Sequence, residues 1–161
     1  MTMKFVVGNK VVYLNLDFKV FDVGDWQIAL DSGKAFKGSH YLLLDYDHDF
    51  PSEFARLVVD NKMKRGLILE STPGKYHAVS FTPLPFEDMI EIMRGSRCDP
   101  KQLSVTIKRG FSGIRVTAKK GFKIRVLKEI NNRNKQTHFY NYHAEKAYLR
   151  EIARGKDGSD A

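Results

Sequence analysis

The chain has 161 residues, 42% apolar and 29% charged, with a formal net charge of +8. That is enough for one domain with a real core, and it excludes wholesale disorder. No apolar run approaches the roughly 20 residues of a membrane span, and the apolar part of the N-terminus is too short for a secretory signal. Cys98 is the only cysteine, which excludes an internal disulfide and a cysteine-based zinc site and makes a reducing cytoplasm the expected location. The positive charge favours a polyanionic partner, nucleic acid or nucleotides. Acidic residues cluster between Asp22 and Asp60, whereas Lys101 to Lys135 is heavily basic. Such a split suits an acidic metal centre facing a basic phosphate-binding wall.

In chain order, Lys4 to Val7 and Val11 to Leu16 read as short strands around Gly8-Asn9-Lys10, because β-branched and aromatic residues suit a pleated surface. Phe18, Val20 and Phe21 continue the pattern, and Trp26 to Leu30 fits a strand or a helical turn equally well. Loop chemistry at Asp31-Ser32-Gly33-Lys34 and Lys37-Gly38-Ser39 closes this first segment. Tyr41 to Leu44 is an apolar run for a buried strand. Phe54, Leu57 and Val58 then recur at helical spacing after Pro51 and Ser52. Gly66 to Glu70 and Lys75 to Phe81 form a hairpin across Ser71-Thr72-Pro73-Gly74. Phe86 to Arg94 is an amphipathic helix stopped by Gly95.

Beyond Asp99-Pro100, Leu103, Val105 and Ile107 alternate as a strand would. Ile114 to Thr117 and Phe122 to Leu127 read as a strand pair joined by Lys119-Lys120-Gly121. A helix follows at about Ala144 to Ala153, then a polar tail. The expected fold is α+β. An RRM-like βαββαβ core (41–130), its sheet covered on one face by two helices, carries an N-terminal β-rich segment (1–40) and a C-terminal helical extension (131–154). Together these make one domain, 1–154, with a disordered tail at 155–161.

The chemistry concentrates at the end of the first core strand. In Leu44-Asp45-Tyr46-Asp47-His48-Asp49 the three aspartates fall on one side by the two-residue period of a strand. Carboxylates at i and i+2 stand roughly 7 Å apart along the backbone, so Asp45 and Asp47 can converge on a hard divalent cation that completes its shell with substrate phosphates. The ordinary alternative is a solvated aspartate-rich turn. The hairpin supplies Ser71-Thr72-Pro73-Gly74-Lys75-Tyr76-His77, and the segment after the second helix opens on Asp99.

A pair of carboxylates, a histidine and a third carboxylate, in that order on this frame, resembles the archaeo-eukaryotic primase (primase-polymerase) superfamily. Its motifs read hhhDhD/E, sxH and an Asp or Glu. The likeness covers Tyr41 to about Lys119 and is nearest to the minimal cores of archaeal plasmids, viruses and phages. It implies a template-dependent nucleotidyltransferase. Asp45, Asp47 and Asp99 would be catalytic and would hold Mg²⁺ or Mn²⁺; His77, Lys75, Arg115 and Lys119 would bind the nucleoside triphosphate. The implied partners are nucleoside triphosphates and a DNA template, single-stranded or primed, with a replicative helicase as a candidate partner. For Asp99 the alternative is an Asp-Pro turn, and for His77 a half-buried strand histidine. Tyr46 and Tyr76 are candidates for base stacking or for sheet packing.

Two other classes compete. A non-catalytic RRM-like nucleic-acid-binding domain would use Tyr76, Phe81 and Phe122 as exposed stacking residues. Such a surface has no use for three aspartates. A replication nuclease would want a histidine-hydrophobe-histidine metal motif, and His40, His48, His138 and His143 are not so spaced.

Overall fold

The computed structural model describes residues 13–14, 18–21, 27–32, 38–117, 119, 121–134 and 139–154, with 13–30 described by backbone alone. The architecture is α+β. Its main sheet joins β4 (His40–Tyr46), β6 (Lys75–Leu84), β5 (Arg65–Thr72) and β8 (Arg125–Asn131), in that order and antiparallel throughout. A second, smaller antiparallel sheet joins β1 (Tyr13–Leu14), β2 (Phe18–Phe21), β3 (Gln27–Asp31) and β7 (Gly113–Arg115). The helices are α1 (Phe54–Asp60), α2 (Phe86–Gly95), α3 (Pro100–Arg109) and α4 (Tyr142–Arg154).

Strand alternation divides the core in two. From β4, Leu42, Leu44 and Tyr46 face one way and meet Phe54, Leu57 and Val58 of α1 and Met89, Ile90 and Met93 of α2. Tyr41 and Leu43 face the other way, onto Val79, Phe81, Ile114, Val116, Ile124, Tyr140 and Tyr148. Each such side chain, fully buried, contributes roughly 1.5–3 kcal/mol. The expectation of a sheet covered on one face is therefore corrected: α4 together with Ile114, Val116 and Ile124 covers the second face. Tyr140 Oη donates to Glu145 on the first turn of α4, and Arg65 on β5 lies 3.4 Å from the same carboxylate. This buried pairing pins α4 to the sheet.

Two further expectations are overturned. Leu103, Val105 and Ile107 lie on α3 and not on a strand. Asp99 caps that helix by accepting from Lys101 N, Pro100 sits at its start, and Gly110 ends it at φ 76°. These end signals outweigh the alternation of β-branched residues, because capped ends satisfy backbone groups that a strand here would leave unpaired. Nor do the last two strands pair with each other. Ile114 and Arg115 join β3, and Val126 joins β5; of the proposed hairpin, a single bridge between Lys119 and Phe122 is present. The strand assigned to Lys4–Val7 and the 155–161 tail lie outside the described residues.

The free edge of β4 has no neighbouring strand among the described residues. Gln102, on the inner side of α3, substitutes for one: its Oε1 accepts from Asp45 N at 2.8 Å and its Nε2 donates to Leu43 O at 2.9 Å. Ser112 Oγ also donates to Leu43 O, and Asp99 N donates to Asp45 O at 2.8 Å. Side chains and a helix start thus saturate an edge that would otherwise be open to pairing.

Candidate active site

The register of β4 against β6 makes Asp45 and His77 Cα partners. Both point to the second face, beyond the end of the tyrosine-rich cluster. Asp45 Oδ1 lies 3.7 Å from His77 Nε2. His77 is buried, and burial together with the nearby Arg115 charge lowers its pKa to about 3. At neutral pH it is uncharged, so this contact is not an ion pair. Its Nδ1 is a buried atom without a hydrogen-bond partner.

The Asp45 carboxyl is pushed up to about 6, first by burial and then by the negative charges of Asp47 and Asp99. The mutual repulsion shows that the three carboxylates share one electrostatic environment. Asp47, the first residue after the strand, pairs with Lys75 at 2.8 Å, which holds its carboxyl below the usual range. Asp45 and Asp47 keep 36% and 37% of their side chains exposed, so a ligand can reach both.

Arg115 completes the group from the smaller sheet. Its guanidinium donates to Ser71 O at 3.1 Å and to Thr117 O, while Asp45 stabilises its charge against the cost of burial. Three distant segments, 45–47, 75–77 and 99–115, are thereby gathered at one end of the main sheet. Lys119 is not brought in: it is exposed beside Phe122, and no contact joins it to the aspartates among the described residues.

No protein-family model, curated protein sequence or solved structure matches this chain. Its site therefore has to be read from its own chemistry. The donors are hard carboxylate oxygens, of the kind Mg²⁺ and Mn²⁺ take, and such ions commonly accept only one or two of them from a protein. Among the described residues no group of three His, Cys, Asp or Glu side chains is already close enough to hold a metal ion. Asp47 is engaged by Lys75 and Asp99 by its helix cap, which leaves Asp45 with the unrelieved charge. The donor set thus fits a hard divalent cation that Asp45 and Asp47 would hold, not a preformed cage.

Other candidates resolve into packing. Tyr46 is 2% exposed and belongs to the core under α1 and α2. Tyr76 stacks edge-on against Phe50 at 5.4 Å. Phe81, one of the three residues a stacking surface would need, is fully buried against Tyr41, Tyr140 and Tyr148. Gln102 and Ser112, which fix the backbone of Asp45, were not singled out from the sequence. Reading 100–109 as a helix would have placed Gln102 on its inner face with Leu103 and Thr106.

Proposed function

We propose that the chain is a metal-dependent nucleotidyltransferase, a DNA primase and/or template-dependent polymerase akin to the archaeo-eukaryotic primase superfamily, acting in the cytoplasm on nucleoside triphosphates and a DNA template. One observation carries the reading: Asp45 is raised to about 6, first by burial and then by Asp47 and Asp99, while Lys75 and Arg115 stand on its flanks. Clustered carboxylates destabilise a fold unless a cation is expected there. The adjacent cations suit a triphosphate. The placing of β6 between β4 and β5 is in keeping with the first three strands of an RRM-like core, whereas β8 departs from it by lying beside β5 and not beside β4.

Mg²⁺ or Mn²⁺ held by Asp45 and Asp47, with Asp99 as a third ligand, would neutralise phosphate charge and lower the barrier to attack by a 3′-hydroxyl, with release of pyrophosphate. The chain's own groups do the rest. With a cation held at Asp47, Lys75 would be released from its ion pair and its point charge would be free to meet the triphosphate. Arg115 is held by two backbone carbonyls, so little side-chain freedom is lost when it meets a phosphate. His77, neutral at working pH, donates a hydrogen bond to a phosphate oxygen and takes no part as a base.

A specific observation favours a second reading. Lys75 already neutralises Asp47, as it would in a nucleic-acid-binding module whose acidic site is vestigial. A primer-template incorporation assay separates the two, run in Mg²⁺ and Mn²⁺, with and without primer. Synthesis lost in Asp45→Asn/Asp47→Asn establishes the transferase, and product without primer makes it a primase. Absence of synthesis in wild type, with DNA binding intact in the double variant, leaves the binding module.

A further inference from the structure

α3 buries little. Thr106 is its only fully buried residue, Gln102 and Leu103 are half-buried, and the other seven positions are exposed. At 100° per residue, Gln102, Leu103 and Thr106 form the inner face, and Lys101, Ser104 and Lys108 form a stripe on the opposite side. Val105 stands beside that stripe at 41% exposure, with Ile107 on its other flank at 47%. β-branched apolar residues thus border the cationic stripe on both sides. Lys108 sits in the last turn, where the helix dipole welcomes a cation, but Lys101 sits in the first turn, where it does not. Lys101 lies within electrostatic range of Asp47, so the stripe begins at the acidic centre.

We infer that the outward face of α3, through Lys101, Ser104, Val105 and Lys108, is the track along which a single-stranded nucleic acid runs to the acidic centre. The inference rests on the transferase reading for its destination. The stripe spans eight residues, about 10 Å of helix, a length that presents two cations to successive stretches of one phosphate backbone. Val105 offers apolar contact to sugars. The occupant is identified by charge, since the chain carries +8 overall. An open groove between α1 and α2 is lined by Asp60, Asp88 and Glu91 and repels a polyanion.

The test uses the full chain with EDTA present, so that binding is read apart from catalysis. Anisotropy of a labelled oligo-dT is followed across a salt series for wild type, Lys101→Gln/Lys108→Gln and Lys128→Gln. Lys128 is exposed on β8, at the far edge of the main sheet from α3. Each phosphate contact on a single strand contributes about 0.7 to the slope of log K against log salt. The α3 double variant is expected to lose about 1.4 from that slope and Lys128→Gln to lose none. An unchanged slope in the double variant, or an equal loss in Lys128→Gln, overturns the track. A loss confined to α3 in a protein that synthesises nothing upholds the track and rejects the transferase.

Discussion

Asp45 and His77 face each other across the β4–β6 ladder as registered partners, 3.7 Å apart, with their titrations displaced in opposite directions. The Asp45 carboxyl is raised in the folded chain, so its contribution to stability is complete below its ordinary value of 3.8 and is lost as pH rises through about 6. The His77 imidazole is lowered, so its contribution is complete above 6.5 and is lost as pH falls toward 3. Asp45→Asn should therefore stabilise the protein at pH 7.5, by about 1 kcal/mol given how exposed the carboxylate is. The gain should vanish by pH 4. Thermal unfolding at both values checks it, and a destabilised variant at pH 7.5 would contradict the account of Asp45.

Lys75 is the counter-charge that keeps Asp45 from rising further. Divalent cation binding needs the ionised carboxylate and should strengthen as pH rises through about 6. Replacing Lys75 with Gln removes a stabilising charge from both aspartates, so the midpoint should move to higher pH. Mn²⁺ titration calorimetry across pH 5–8 measures it. A midpoint that stays in place or falls would mean that Lys75 does not govern the pair.

Gln102 bonds both Leu43 O and Asp45 N along an edge without a strand. Gln102→Leu leaves those backbone groups without this partner, at a cost of about 1–3 kcal/mol. Because Asp45 is the residue held, the proposed transferase activity should suffer beyond the loss of folded protein. Urea unfolding gives the first quantity, and incorporation per folded molecule the second. Normal specific activity in a destabilised variant would reduce Gln102 to a structural clamp.

Gly66 on β5 lies under α1. A Cβ there would stand 2.6 Å from Phe54 Cε1 and 2.8 Å from Val58 Cγ2, and both side chains are fully buried. Gly66→Ala should cost about 1–3 kcal/mol through overpacking, and adding Phe54→Leu should recover part of it. Denaturant midpoints of the single and double variants decide. A neutral Gly66→Ala would show that α1 is free to shift outward.

The elements most easily read from the sequence are those whose signals are local. β4, β5, β6, α1 and α2 each carry their own periodicity and end residues, and Trp26 to Leu30, undecided between strand and turn, forms the strand Gln27–Asp31. For α3 two local signals conflict. The alternation of Leu103, Val105 and Ile107 speaks for a strand, while Asp99-Pro100 and Gly110 speak for a capped helix, and the caps prevail. The partners of β7 and β8 were beyond local reading, since Leu30↔Ile114 and Leu69↔Val126 join residues far apart in the chain. In the site, Asp45, Asp47, Lys75, His77, Asp99 and Arg115 were legible as a constellation through the order of their motifs, and the pairing of β4 with β6 sets Asp45 opposite His77. Arg115 arrives through the smaller sheet, a route no motif announces. Lys119 had charge and nearness in sequence to recommend it, and neither brings it to the aspartates.

The closure of the second sheet face by α4 bears on what the molecule can distinguish. With Phe81 sealed under Tyr140 and Tyr148, no row of bases can lie flat across the strands and be told apart one by one. On the transferase reading, a nucleic acid would reach Asp45 end-on, past the rim of the sheet, and would present its backbone and terminus before its bases. Such a transferase would be indifferent to the letters of its template and attentive to where a strand stops.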